Sequence, residues 1–231
     1  ELRDGEAGLL RIAASASLGI SVVPMAVAEF ARAFPKVKIV SHFVPATMAA
    51  ELVVGNHVDV GLCLSPVSNP GSVTQSLATV PMVCAIHPDH PLADSPTIRP
   101  RDLMGEKLIS FSSGTYFGKL LDDAFAKDGM ERHIAIELIT AIQAPALVLQ
   151  GAGVALVDRY MEGGGFPGIV WRPFVPRVLL PVNVITSTMR PTSRLANRFL
   201  ECLSAALEAQ RVRRAGGPAH PGTGTSSRAL A

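Results

Sequence analysis

Short apolar runs alternate with amphipathic stretches along most of the chain, and that rhythm predicts alternating strands and helices. Leu9-Leu10-Arg11-Ile12-Ala13-Ala14 is a short apolar run that ends in the polar turn Ser15-Ala16-Ser17. From about Gly19 to Phe34, the apolar positions Val22, Val23, Val27, Phe30, Ala31 and Phe34 recur at helical spacing. Pro24 belongs in the first turn of that helix, and Pro35 stops it. Val37, Ile39 and Phe43 continue as a strand, and Thr47 to Val54 forms a short helix closed by Gly55 and Asn56. Val58 to Leu64 is nearly all apolar, as in a buried parallel strand. Pro66 to Gly71 reads as a loop, Val80 to Ile86 as a strand, and His87-Pro88-Asp89-His90-Pro91 as a turn.

A second unit of the same design follows. Lys107 to Phe111 reads as a strand, and Ser112-Ser113-Gly114 is a polar turn suited to cap a helix from Tyr116 to Lys127. His133 to Leu138 is expected as a strand and Ile142 to Gln150 as a helix with Pro145 in its first turn. Gly151-Ala152-Gly153 is a tight turn before the strand Val154 to Val157, and Ile169 to Arg172 and Leu179 to Ser187 complete the strands. A last helix starts near Thr192 or Ser193, with Leu195, Phe199, Leu203, Ala206 and Leu207 on one stripe. Residues 211–231 are rich in Gly, Ser, Thr and Pro and are expected to form a disordered tail.

Two such βα units predict two α/β lobes built on parallel sheets. In these sheets ligands sit beyond the carboxyl ends of the strands. The candidate ligand contacts are therefore Ser15, Ala16, Ser17, Pro45, Thr47, Ser65, Phe111, Ser112, Ser113, Gly114, Gln143 and Asp158. Helix N-termini offer unpaired N–H groups, and Ser and Thr hydroxyls add to them, a combination that holds carboxylates. Ser17, Thr47 and Ser113 also suit plain helix capping, and Gln143 suits a solvated helix end. Lys119 and Arg159 are cations near these loops that read first as solvated surface charge, and no buried Arg stands out as a carboxylate partner.

Bulk properties narrow the function classes. Of the 231 residues, 48% are apolar and 17% charged, enough to bury a large core. The formal net charge is only +2, and Arg211, Arg213, Arg214 and Arg228 lie after the last predicted helix. The body is then roughly neutral, without the basic stripe of a DNA-binding domain, and a DNA-contacting segment would lie outside this chain. Aromatics make up 5%, too few for a platform that stacks single-stranded nucleic acid. Three widely spaced cysteines without a CxxC argue against a zinc knuckle or a disulfide framework, and Cys63 and Cys84 read as core. No apolar run is long enough to span a membrane, and the charged start Glu1 to Glu6, without Met, reads as a fragment or a processed form.

Other chemistry finds little support. His87 and His90 form no metal site, because prolines hold them in an exposed turn and no third ligand lies nearby. Gly151-Ala152-Gly153 lacks the third glycine of a dinucleotide fingerprint, with Leu156 in its place, and follows a helix. There is no nucleophile elbow and no phosphate-binding loop. Asp122 and Asp123 read as solvated helix-surface charge. No cofactor is expected.

Several segments resemble, in order, the effector domain of LysR-type transcriptional regulators. They are Gly8 to Ala13 with Val22-Val23-Pro24, Phe30 and Phe34-Pro35; Leu52 to Gly55 leading to Val58 to Leu62; His90-Pro91-Leu92-Ala93 with Asp102-Leu103 and Leu108-Ile109; Gln150 to Val157; and Arg194-Leu195-Ala196 with Phe199-Leu200. One extra residue separates Gly55 from Asp59 relative to the family pattern. The resemblance runs from about residue 8 to 208. It implies an α/β, periplasmic-binding-protein type 2-like fold with two Rossmann-like lobes joined by two crossover strands. Residues 8–82 plus 186–210 would form the first lobe and 83–185 the second.

The same resemblance implies a cytoplasmic sensor that binds a small-molecule effector between its lobes, pairs with itself as a dimer or tetramer, and is not an enzyme. DNA would be reached only through a winged helix-turn-helix that precedes this domain in the family. Val157-Asp158, in place of a commoner Leu-Pro, looks like a branch that senses amino acids, opines or other carboxylates. A transport-linked solute-binding protein of the same fold is the alternative. An enzyme on this fold would need a convergent acid/base set, and the loops supply only Ser, Thr and Asp158.

Overall fold

The computed structural model describes residues 7–215, the side chains of 213–215 excepted. Strand β1 (Gly8–Ala14), helix α1 (Ala16–Gly19), helix α2 (Val22–Ala33), strand β2 (Val37–Phe43), helix α3 (Ala46–Val54) and strand β3 (Val60–Cys63) open the chain. β1 pairs in parallel with β2 on one side and β3 on the other. Strand β4 (Ser72–Ile86) then crosses into the second unit. That unit comprises β5 (Leu108–Phe111), α4 (Tyr116–Lys127), β6 (Ile136–Leu138), α5 (Ala144–Leu149), β7 (Val154–Asp158) and β8 (Val170–Pro173). β9 (Leu179–Ser187) crosses back, and α6 (Arg194–Ala215) closes the described chain.

The strands form a ladder in the order β2-β1-β3-β9-β4-β7-β5-β6, with β8 also on β4. β2-β1-β3 and β7-β5-β6 are parallel, as expected. The sheet is nevertheless mixed, because β9 runs antiparallel to β3 and β4, and β4 antiparallel to β7 and β8. A chain that leaves one half and returns must send its two crossovers in opposite directions, so they pair antiparallel with each other. β4 begins at Ser72, eight residues before the expected Val80. Its early part alternates half-buried and exposed positions, the pattern of a strand with one wet face. Ser72 to Pro81 pairs with β9, and Met82 to Ala85 pairs with β7.

Apolar burial fixes both halves. Leu10, Ile12, Phe30 and Phe199 are fully buried, and the Phe30 and Phe199 rings meet edge to face at 6.2 Å. α6, the last helix of the described chain, thus packs on α2, near its start. In the other half Phe125 stacks on Phe174 with centroids 6.1 Å apart. Gly153, at φ +152°, leads into β7, and a Cβ there would lie 1.9 Å from the Lys107 carbonyl oxygen, so only glycine lets the turn pass so close to β5.

Several local expectations change. The cap of α4 is Thr115, whose hydroxyl oxygen accepts from the Gly118 N–H at 3.0 Å; neither Ser112 nor Ser113 caps it. Thr47 lies inside α3, whose flanking residue is Pro45, and so is not its cap. Ser17 lies within α1 and is no cap either. The strand expected from His133 begins at Ile136, and the helix expected from Ile142 to Gln150 is a 3₁₀ turn, Ala141–Gln143, followed by α5. α6 runs to Ala215, so Arg211, Arg213 and Arg214 sit on a helix and not beyond one. The rest of the expected tail, including Arg228, lies outside the described residues. No described helix is long and apolar enough to cross a membrane.

Candidate functional site

A cleft of about 450 Å³ opens where the strand ends of the two halves meet. Ser15, Ala16 and Ser17 follow β1, Phe43, Val44, Pro45 and Ala46 follow β2, and Leu64 and Ser65 follow β3. The other half supplies Phe111 and Phe117, the segment Ile139, Thr140, Ala141 and Ile142, and Asp158 at the end of β7. The volume lies in the range of small-molecule sites, and the walls are mainly apolar with a few polar groups, as such sites require. Phe111 and Phe117 lie 4.9 Å apart in a tilted pair and form one wall.

The base of the cleft is a hydrogen bond between the halves. The Ser17 hydroxyl donates to Asp158 Oδ2 at 2.6 Å, and both side chains are buried. Asp158 Oδ1 accepts the Tyr160 N–H at 3.1 Å, which caps the 3₁₀ turn Arg159–Gly163. The Asp158 carboxylate is thereby held in place. Nearby, the Ser65 carbonyl accepts from Asn183 Nδ2 at 3.0 Å, tying the loop after β3 to β9. Ser15 Oγ is buried and accepts or donates no hydrogen bond within the described protein.

Of the expected contacts, Ser15, Ala16, Ser17, Pro45, Ser65, Phe111 and Asp158 line the cleft. Thr47, Ser112, Ser113, Gly114 and Gln143 do not. Thr47 is exposed on the outer turn of α3, and Gln143 is exposed at the start of α5. The Ser112 carbonyl is occupied by the Thr115 N–H and hydroxyl, which turns Ser113 and Gly114 outward to solvent. The unforeseen walls are Phe43, Val44, Leu64, Phe117 and Ile139. Ile139 is 94% exposed, an apolar side chain left open at the mouth. An apolar residue followed by Thr in a loop after a strand is the signal that could have marked it.

One buried cation supports the wall without reaching the cleft. Arg132 has a fully buried side chain. It donates to Asp122 Oδ1 at 2.7 Å, Ser110 Oγ and the Phe111 carbonyl at 2.8 Å, and the Gly118 carbonyl at 3.2 Å. Asp122 is therefore an ion-pair partner and only partly the solvated helix-surface charge expected. Four bonds bind the end of β5 to the first turns of α4, the two elements that carry Phe111 and Phe117. In the other half Asp59 accepts from the Arg11 backbone at 2.8 Å and pairs with the Arg11 guanidinium at 3.1 Å. His90 accepts the Leu92 N–H at Nδ1, and its Nε2 lies 3.1 Å from Glu106, so this histidine is a turn cap. Among the described residues, no group of three or more His, Cys, Asp or Glu could hold a metal ion. Burial raises the Cys63 thiol to about 11 and pushes Cys84 up further, consistent with core roles.

The LysR substrate-binding-domain family matches residues 3–208. The chain belongs to that family. Its relatives are LysR-type transcriptional regulators, which favours the regulator reading over the transport-linked one. The LysR domain is 29% identical over 210 residues to the regulatory protein NocR of Agrobacterium tumefaciens (strain T37), covering 90% of this chain and 70% of that protein. It is 29% identical over 168 residues to the octopine catabolism/uptake operon regulatory protein OccR of Rhizobium meliloti, covering 73% and 55% respectively. The solved effector-binding domain of BenM with its effector benzoate superposes with a TM-score of 0.72 at 19% identity, over 96% of this chain and 99% of that one. At that identity the likeness establishes the fold, the two-lobed periplasmic-binding-protein type 2-like architecture with β4 and β9 as its crossovers.

Proposed function

We propose that this LysR domain senses a small amino-acid-derived or other carboxylate-bearing effector in the cleft, and transmits its presence to DNA-binding segments elsewhere in the regulator. The observation that carries the reading is the two-sided wall. Ser15 to Ser17 and Phe43 to Ala46 come from one half, and Phe111, Phe117 and Ile139 to Ile142 from the other. A ligand that touches both halves favours the arrangement in which it makes more contacts, and so shifts their relative placement. Coupling of about 1–3 kcal/mol is typical of such devices. The lobes are best divided where β4 changes partner, between Pro81 and Met82, with β9 as the return crossing, close to the 8–82 plus 186–210 and 83–185 division read from the sequence.

The wall chemistry supports an effector with an apolar body and a polar head. Phe43, Phe111, Phe117 and Ile142 suit the body, and the hydroxyls of Ser15, Ser17 and Thr140, with the N–H groups of the first turn of α1, suit the head. The OccR relative, named for octopine catabolism and uptake, supports the amino-acid or opine class. Among the described residues that line the cleft, Asp158 is the one carboxylate, and it is engaged by Ser17 and Tyr160. That favours sensing over acid/base catalysis, and with it a cytoplasmic regulator that pairs with itself.

The test is a thermal-shift panel of amino acids, octopine and aromatic acids, followed by calorimetry on the best compound. At a hundredfold excess over Kd, a ligand stabilises the native state by about 2.7 kcal/mol. A compound that raises the melting temperature of the wild-type chain and loses affinity in Phe117→Ala supports the reading. A panel without any shift, or affinity unchanged in Phe117→Ala, refutes it.

A further inference from the structure

The polarity of the cleft is reversed with depth. Its base is polar: the Ser17 and Asp158 side chains are buried there, and Ser15 Oγ, two residues earlier, is buried with no hydrogen-bond partner in the described protein. Its rim is apolar. Phe43 and Pro45 stand on one lip and Ile139 on the other, and all three are exposed. Among the described residues that line the cleft, no Lys, Arg, His or Glu occurs, so no charge stands at the rim. Binding surfaces ordinarily run the other way, with an apolar centre and a polar, solvated rim.

Both lips are held in place by their own half. A Cβ on Gly19, the last residue of α1, would lie 2.2 Å from Phe43 Cε1, so the ring rests directly on the glycine. The ring still borders the cleft and stays 54% exposed. Ile139 follows β6, an edge of the sheet. Strand alternation turns Leu138 inward, where it is buried, and leaves Ile139 outward at 94% exposure. Exposed apolar residues scattered singly are ordinary, but a contiguous apolar rim around a cleft marks a contact. Phe43 and Ile139 belong to one cleft and approach it from opposite halves.

We propose that Phe43 and Ile139 clasp the outer end of the effector, which is therefore amphipathic, with its polar head at the base of the cleft and an apolar tail that reaches the rim. This rests on the effector reading above and adds the direction in which the ligand lies and the chemistry of its far end. A molecule charged at both ends would set its second charge against Phe43 and Ile139, where no side chain can pair with it. An apolar tail instead covers both lips, and each methylene added to it strengthens binding by about threefold to fourfold until the rim is passed. Gly19 is then a specificity-determining residue that never touches the ligand, because it sets where the Phe43 ring stands. Since the lips belong to different halves, the tail also adds to the contacts that favour one arrangement of the halves over another.

The experiment is calorimetric titration of the full chain with two homologous series, straight-chain α-amino acids and straight-chain monocarboxylates, so that the two head groups are compared at equal tail length. In one series or both, affinity is expected to rise with each methylene. Ile139→Asn is expected to weaken the long members by about tenfold, the worth of roughly two buried methylenes, and to leave the short members as in wild type. Gly19→Ala, which displaces the Phe43 ring, is expected to have the same selective effect, and Ile139→Leu to keep the gradient. Ile139 is almost wholly exposed, so its replacement leaves the fold intact, and circular dichroism of each variant verifies this. Affinity that ignores tail length in wild type, or long members that bind Ile139→Asn as tightly as wild type, overturns the proposal and leaves the effector reading standing. Failure of both series while another compound of the thermal-shift panel binds does the same. Silence across the whole panel refutes the effector reading, and this proposal with it.

Discussion

Ser17 and Asp158 are joined by a hydrogen bond of 2.6 Å, and they come from opposite halves of the sheet. The bond closes the base of the cleft, so stability and ligand response meet there. Ser17→Ala removes the donor from a buried carboxylate. The expected loss is about 1–3 kcal/mol of unfolding free energy, read from urea denaturation. Effector affinity should fall with it, because the cleft floor is no longer pinned. An unchanged denaturation midpoint would show that the bond is not a strut.

Arg132 is the buried fastener of the Phe111 and Phe117 wall. Arg132→Met fills part of the volume but strips donors from Asp122, Ser110 and two carbonyls. Removing one partner of a buried pair costs about 3–5 kcal/mol, and because Asp122 is partly solvated the lower end is expected. Chemical denaturation measures it. A loss under about 1 kcal/mol, the worth of a surface pair, would contradict the role.

Gly118 packs against the loop after β5, and a Cβ there would meet the Ser112 carbonyl oxygen at 1.8 Å. Gly118→Ala must push α4 away from that loop. Overpacking of this kind costs about 1–3 kcal/mol. A drop in melting temperature is expected, together with weaker effector binding, since Phe117 sits one residue earlier. Retention of both properties would mean that the helix start shifts freely.

Much of this architecture is readable in the residues. The helix Tyr116–Lys127 has the expected bounds, because its amphipathic stripe and the Asp128-Gly129 stop agree. Seven of the expected contacts line the cleft because strand ends fix where those loops emerge. The remainder depended on which way a loop turns. Thr47 and Ser113 have the right chemistry at the right depth in the chain, but the first turn of α3 carries Thr47 to the outside, and the tight turn before α4 does the same to Ser113. Phe43 reads only as part of a strand and Phe117 only as part of a helix, and no local pattern shows that their rings border open space. The early half of β4, Ser72 to Thr79, has a polar alternation that resembles a loop until β9 pairs with it.

Thr47→Ala separates these two classes of residue. An exposed position away from special features changes stability by no more than about 0.5 kcal/mol, and effector affinity should be unaltered. Calorimetry on this variant beside Phe117→Ala checks the assignment, and a large loss at Thr47 would redraw the cleft.

The buried thiols set an alkaline limit. Burial raises the Cys63 pKa from 9.0 to about 11, with a hydrogen bond to the Ser65 backbone as a smaller, opposing influence. The folded state then holds the proton more tightly than the unfolded chain does. Its contribution is complete below pH 9 and fades as pH rises through 11. Stability measured against pH should fall more steeply over that window in wild type than in Cys63→Ala. Equal slopes would show that Cys63 titrates normally.

The return of β9 to the side of β3 has a further effect on how the molecule comes into being. The first half pairs β3 with a strand, and covers α2 with a helix, that are synthesised only after the second half. During translation its edge and its apolar helix face therefore wait while the entire second half emerges and can fold as a local unit. Closing such long loops is slow. While it waits, the nascent first half leaves that strand edge and that apolar helix face open to aggregation and to chaperone capture.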